Sequence, residues 1–146
     1  MFSSAKNTEN HFYHAFSNCD LEKMMSVWLD SNEISCIHPG GSALVGMSQI
    51  TLSWQQIFSP RSKRIFDLKT INQISADEFC LRLVQENIYL EEKNFAAPTI
   101  YATNIYRKID FSWFMISHHA SVSPIKFNPD FFSPRTGTTS QSDNLH

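Results

Sequence analysis

The chain has 146 residues, 42% of them apolar and 13% aromatic, and carries a formal charge of -2 from 12 basic and 14 acidic side chains. That length suits one domain able to bury its own core without disulfides or metal. A balance this close to neutral, with Arg61, Lys63 and Arg64 as the local basic cluster, excludes the concentrated positive face that a phosphate backbone requires. No nucleic-acid partner is expected, and Pro60 to Arg64 reads as a solvated turn.

The opening stretch MFSSAKNTENHFYHAF has no apolar core of the kind a secretory leader carries, and no run in the chain approaches the length of a membrane span. A cytoplasmic protein without membrane contact is the expectation. Phe12 and Phe16, four apart, predict a first helix ending near Asn18. From Asp20, a candidate N-cap, Leu21, Met24, Met25, Trp28 and Leu29 fall on one face of a second helix. Cys19, Cys36 and Cys80 are odd in number and widely spaced, without a CxxC pair, which points to reduced, buried thiols instead of disulfides or zinc.

Glu33 to His38 reads as a short strand that ends on a histidine and runs straight into Pro39-Gly40-Gly41. Gly46 then leads to Ser48, a candidate cap for a third helix carrying Ile50, Trp54, Ile57 and Phe58, which Pro60 stops. After it the period changes to two over 65–74, 78–90, 99–109 and 112–122, four strands rich in β-branched and aromatic residues. Helices followed by successive strands predict an α+β domain over residues 1–123 with an antiparallel sheet. Residues 124–146 are rich in Pro, Ser and Thr around an aromatic knot of Phe127, Phe131 and Phe132. They read as a partly disordered tail whose knot docks on the domain, covers a pocket mouth or clamps a dimer.

Taken in order, FYHAFSNCDLEKMMSVWLD, IHPGGSALVGMSQITLSWQQIF and IYRKIDFSWFMISHHAS resemble the NTF2-like superfamily, in particular its SnoaL-like and ketosteroid-isomerase-like members. The resemblance spans about residues 8 to 123. It implies a cone in which a curved sheet wraps over three helices, a deep apolar pocket at the open end, and a homodimer formed through the outer sheet face. It also implies that His38, at the mouth of the cone, looks into that pocket while the Pro-Gly-Gly turn carries the chain away.

Matched to the steroid isomerases, His38 stands where that family has its proton-abstracting Asp, and Asn104 where it has a protonated Asp donating to the oxyanion; both roles come from the resemblance alone. The family's helix tyrosine falls on Phe12, with Tyr13 one residue out of phase. The implied chemistry is proton removal beside the carbonyl of a small apolar ligand by an imidazole whose ordinary pKa lies near neutrality. From the residues alone, His38 serves equally well as a hydrogen-bonded turn residue, and Asn104, in phase with Ile100, Ala102 and Tyr106, as a structural tie. The phase Trp113, Met115, Ser117, His119, Ser121 is matched to the concave face, which selects His119 over His118. Glu86, in phase with Cys80, Val84 and Ile88, is the expected partner of His119. Phe16, Trp54, Glu86 and Tyr106 complete the expected pocket lining. No cofactor or metal is expected, because no histidine pair has the spacing of a helical zinc motif. An isomerase, cyclase or dehydratase stands beside two alternatives, a non-catalytic ligand-binding module and a dimeric interaction module.

Overall fold

The computed structural model describes residues 1–90 and 98–123, apart from the side chain of Leu90. The aromatic knot at Phe127, Phe131 and Phe132 lies outside the described residues. Three helices, α1 (Ala5–Ser17), α2 (Leu21–Ser26) and α3 (Met47–Phe58), pack on a six-stranded sheet. Its strands are β1 (Ser35–Ile37), β2 (Leu44–Val45), β3 (Arg64–Ser75), β4 (Phe79–Leu90), β5 (Ile100–Ile109) and β6 (Ser112–Val122). The order across the sheet is β2-β1-β6-β5-β4-β3, antiparallel throughout except where β1 runs parallel to β6. Among the described residues no helix is long and apolar enough to cross a membrane.

Helix α1 starts where the Ser4 hydroxyl accepts from the Asn7 amide at 2.9 Å, satisfying one of the free donors of the first turn. Thr8 ties the helix to the sheet by donating to the carbonyl of Trp113 at 2.8 Å. Asp20 caps α2 as expected, accepting from Lys23. The helix nevertheless ends at Ser26, before Trp28 and Leu29. Those two residues switch to sheet pairing instead, Trp28 bridging to Met115 and the Leu29 amide donating to the Met115 carbonyl. The third helix also departs from expectation at its start. It begins at Met47 behind Gly46, whose φ of 90° suits glycine, so Ser48 lies inside the helix and caps nothing.

The core sits between the helices and the concave face of the sheet, where Phe12, Met24, Val27, Ile34, Ile50, Trp54 and Met115 are almost or fully buried. Each such side chain contributes about 1.5–3 kcal/mol through removal from water. Aromatic rings meet largely edge to face there, as in Phe12 with Trp54 at 5.6 Å and Phe16 with Trp54 at 4.8 Å. All three cysteines are buried and free. Arg64 is not a solvated turn residue: it opens β3 and lays its guanidinium over Phe16 at 5.5 Å.

One irregularity decides what the concave face holds. Ile105 pairs with Ser117 but Tyr106 pairs with Met115, so Ile116 is an extra residue in β6. A bulge of this kind shifts the side-chain alternation by one position. Met115 faces the core before it, and His118 and Ala120 face the core after it.

Candidate functional site

Rows of paired residues cross the concave face, and one is strongly polar: Arg82 on β4, Asn104 on β5 and His118 on β6 stand opposite one another, and the row continues to Cys36 on β1. Helix α1 lies above it and lowers Glu9 and Tyr13, four residues apart and therefore on one helical face, onto these groups. Glu9 Oε1 accepts from Arg82 Nε at 2.9 Å, an ion pair with both side chains buried. Glu9 Oε2 accepts from the Tyr106 hydroxyl at 2.8 Å and from Asn104 Nδ2 at 3.3 Å. Arg82 is held further by Thr70 and Gln73 of β3. Two buried charges are costly unless paired and hydrogen-bonded, and here they are both.

The same chain of bonds continues on the other side of Asn104. Its second amide hydrogen goes to the Tyr13 hydroxyl at 3.1 Å, and Tyr13 donates in turn to Glu86 Oε2 at 2.5 Å. Burial, reinforced by the Glu86 carboxylate beside it, raises the Tyr13 phenol well above its usual range. Glu86 is pushed up to about 7, with burial the first cause and repulsion from Glu9 adding to it against the bond from Tyr13. Asn104 Oδ1 accepts from His118 Nδ1 at 2.6 Å. Burial, with the neighbouring imidazoles of His38 and His119, lowers His118 to about 3, so this ring is neutral.

Nearer the surface, His38 follows β1 directly, and the turn behind it is closed by the Gly41 amide donating to the His38 carbonyl at 2.8 Å, with Gly40 at a φ of 74°. The half-buried imidazole packs edge-on against Trp54 at 4.8 Å and lies 6.4 Å from the ring of His118. Its Nε2 is 2.9 Å from Ser53 Oγ, whose own hydrogen goes to the Ile50 carbonyl at 2.7 Å. Ser53 therefore accepts from Nε2–H, which leaves Nδ1 of His38 with its lone pair. Burial lowers the His38 pKa, favouring this neutral form. Cys36 Sγ lies 3.6 Å from Nε2, and its thiol is pushed up to about 12 by burial, so it stays protonated. The indole nitrogen of Trp54 is buried without a partner among the described residues.

The expected site residues divide by burial and by partner. Trp54, Glu86, Asn104 and Tyr106 are buried, His38 is half-buried against Trp54, and Phe16 packs half-buried against Trp54, Phe58 and Phe66. His119 does not join them. It is exposed on the outer face opposite Thr103, because the bulge at Ile116 gives the inward position to His118. The Glu86–His119 dyad is accordingly absent, and Glu86 pairs with Tyr13. Asn104 has both amide hydrogens engaged within the protein, so it is no free oxyanion donor.

Glu9, Arg82 and Ser53 escaped the sequence reading, and Tyr13 enters it only as one residue out of phase with the family's tyrosine. The available signals were the i, i+4 spacing of Glu9 with Tyr13 and the shared strand phase of Arg82 with Glu86. A separate pocket of about 430 Å³ lies on the outer side of the sheet, lined in part by Phe79, Ile105, Arg107 and Ile116.

A family model described as the SnoaL-like domain matches residues 6–126, which takes in every element above but the first residue of α1. The chain belongs to the SnoaL-like domain family. Among solved structures this SnoaL-like domain is similar to a candidate calcium/calmodulin-dependent protein kinase type II association domain from Thiobacillus denitrificans. The two are 30% identical with a TM-score of 0.80, over 84% of this chain and 98% of that one. It is also similar to a candidate dehydratase of the NTF2-like family from Streptomyces avermitilis, 25% identical with a TM-score of 0.75, over 85% of this chain and 96% of the other. A curated relative, the F-box protein SKIP8 of Arabidopsis thaliana, is 29% identical over 117 residues. That match covers 80% of this chain and 47% of SKIP8, so the SnoaL-like chain spans about half the length of the relative.

Proposed function

We propose that this SnoaL-like domain holds a small apolar carbonyl compound between α1, α3 and the concave sheet face, with His38 removing a proton beside the carbonyl. The observation that carries this reading is the pair of neutral imidazoles, His38 half-buried and His118 fully buried, with rings 6.4 Å apart beside Trp54. A fold that needed only a core would gain nothing from two desolvated histidines facing one indole. His38 is the better base of the two, because its basicity is reduced less and it stands nearer solvent, to which a proton must finally go. The reaction class is isomerisation, cyclisation or dehydration, in line with the likeness to a candidate dehydratase. Three free thiols agree with a reducing, cytoplasmic setting.

The test is a thermal-shift titration of the native protein and His38→Ala with methyl ketones, enones and the corresponding hydrocarbons. A ligand that binds the folded state alone raises the melting temperature. Carbonyl compounds should raise it in the native protein and lose most of that effect in His38→Ala. Equal responses in the two proteins, or a response to hydrocarbons alone, would remove His38 from the site.

A second reading, self-association, is favoured by the outer sheet face. Phe79 is 46% and Tyr101 40% exposed there, beside Ile105 and Ile116 of the outer pocket. The likeness to a candidate association domain points the same way. Burying such a face in a homodimer removes apolar surface that water otherwise covers. Sedimentation of the native chain against Phe79→Glu should show a dimer that the variant dissociates, whereas a native monomer ends this reading.

A further inference from the structure

Two arginines project from the adjoining strands β4 and β5, and their surroundings differ sharply. Arg82 points inward and spends its guanidinium on Glu9, Thr70 and Gln73. Arg107, on β5, points outward opposite Phe79 of β4. Its guanidinium carbon lies 5.7 Å from the centre of the Phe79 ring. Among the described residues Arg107 forms no ion pair, and its Nε is buried without a hydrogen-bond partner. A buried donor costs free energy until an acceptor reaches it.

The residues around Arg107 describe that acceptor. The guanidinium stands in the outer pocket of about 430 Å³, a volume within the roughly 300–1,000 Å³ of small-ligand clefts. Leu29 and Ile34, from the segment between α2 and β1, join Ile105 and Ile116 as apolar walls. The bulge contributes here too, since it leaves both Ile116 and Ser117 on the outer face. Ser117 pairs with Ser35, their hydroxyl oxygens 2.9 Å apart, so one hydroxyl hydrogen is used between them and the other is free. Glu33 lines the same pocket, exposed and without an ion pair among the described residues.

We propose that the outer pocket binds an apolar monocarboxylate, its carboxylate on the Arg107 guanidinium and its hydrocarbon or aromatic body along Leu29, Ile34, Ile105 and Ile116. An arginine fork matches the two oxygens of a carboxylate, and its charge is fixed at any pH near neutrality. A dianion such as a phosphate monoester is disfavoured by repulsion from Glu33, and an uncharged ligand without an acceptor leaves the buried N–H unanswered. The site lies on the other side of the sheet from His38 and is independent of it.

The experiment is a calorimetric titration of the full chain with 4-phenylbutanoate and with 4-phenylbutan-1-ol, which keeps the body and loses the charge. The acid should bind at least about tenfold more tightly, the worth of one charge-assisted pair. Arg107→Gln should bring the two to parity, and Arg107→Lys, which keeps the charge without the fork, should recover only part of the difference. Glu33→Gln should tighten the acid about two- to threefold and leave the alcohol unchanged. Arg107 is only half-buried, so these variants should keep their fold, which their melting curves check. In the unmodified chain, the Arg107 Nε–H signal of 1H–15N spectra should move with the acid and stay still with the alcohol. Equal binding of acid and alcohol, or no binding of either, overturns the proposal, as does an acid preference that survives Arg107→Gln. A preference lost in His38→Ala overturns it by moving the acid to the concave face. Retention in His38→Ala with loss in Arg107→Gln supports it, whatever becomes of the His38 reading. Equal binding together with a lower sedimentation coefficient in Arg107→Gln overturns it and assigns Arg107 to self-association.

Discussion

The buried polar row of the concave face and the half-buried edge around His38 use the same residue types to opposite ends. Inside, Arg82, Glu9, Tyr106, Asn104, Tyr13, Glu86 and His118 form one connected network in which nearly every donor and acceptor is committed. At that edge, the half-buried His38 bonds Ser53 through Nε2, with the Cys36 thiol 3.6 Å from Nε2 and 4.0 Å from Nδ1. A closed network fixes geometry at a high cost of disruption, whereas a half-buried group with one close hydrogen bond costs less to remove. Stability should therefore be concentrated inside and, on the proposed function, ligand response around His38.

Arg82→Met breaks the comparison most severely, because it leaves Glu9 buried without its counter-charge. A loss of about 3–5 kcal/mol is expected in denaturant unfolding at neutral pH. A loss no larger than that of a surface change would mean that water reaches Glu9.

The next largest effect is a pH dependence of opposite sign for two buried neighbours. Glu86, with a folded pKa raised from 4.5 to about 7, binds its proton more tightly in the folded state. Its contribution is fully present below pH 4.5 and is lost as pH rises through 7, an effect of roughly 3 kcal/mol. His118, lowered from 6.5 to about 3, does the reverse, its contribution present above pH 6.5 and lost as pH falls through 3. Between 4.5 and 6.5 the two slopes oppose each other. Glu86→Gln should remove the falling branch, so that unfolding free energy rises steadily from acid to neutral pH. A native profile already of that shape would show that Glu86 is solvated.

At the half-buried edge, His38→Ala should cost only about 1 kcal/mol, the loss of one hydrogen bond, while abolishing the carbonyl-dependent rise in melting temperature. A large loss of stability there would make His38 a structural member of the network. His119→Ser, on the outer face, should change stability by less than about 0.5 kcal/mol and leave ligand response untouched. Any loss of ligand response in that variant would contradict the phase imposed by the bulge.

Much of this molecule could be read in its sequence because the signals are local. Phe12 with Phe16, Ile50 with Trp54 and Phe58, and the alternating runs of the four long strands report which side of an element avoids water. Asp20 declares a helix start, and the His-Pro-Gly-Gly run declares a turn. The site was legible only in part, for two physical reasons. Polar partners such as Glu9 and Arg82 lie 73 positions apart, and nothing in either neighbourhood says that the other will meet it. A strand bulge also leaves no local mark, since Ile116 sits in a run of strand-forming residues like any other.

Spacing alone thus determined that three helices precede four long antiparallel strands, and the burial of Trp54, Glu86, Asn104 and Tyr106. Tertiary pairing decided the rest: that α2 stops so Trp28 can bridge to β6, that Tyr13 meets Glu86, and that His118 and not His119 turns inward. Periodicity records which residues share a face of one element, but a single inserted residue reverses that record for all that follow. Only the hydrogen-bonded register between strands shows where the insertion lies.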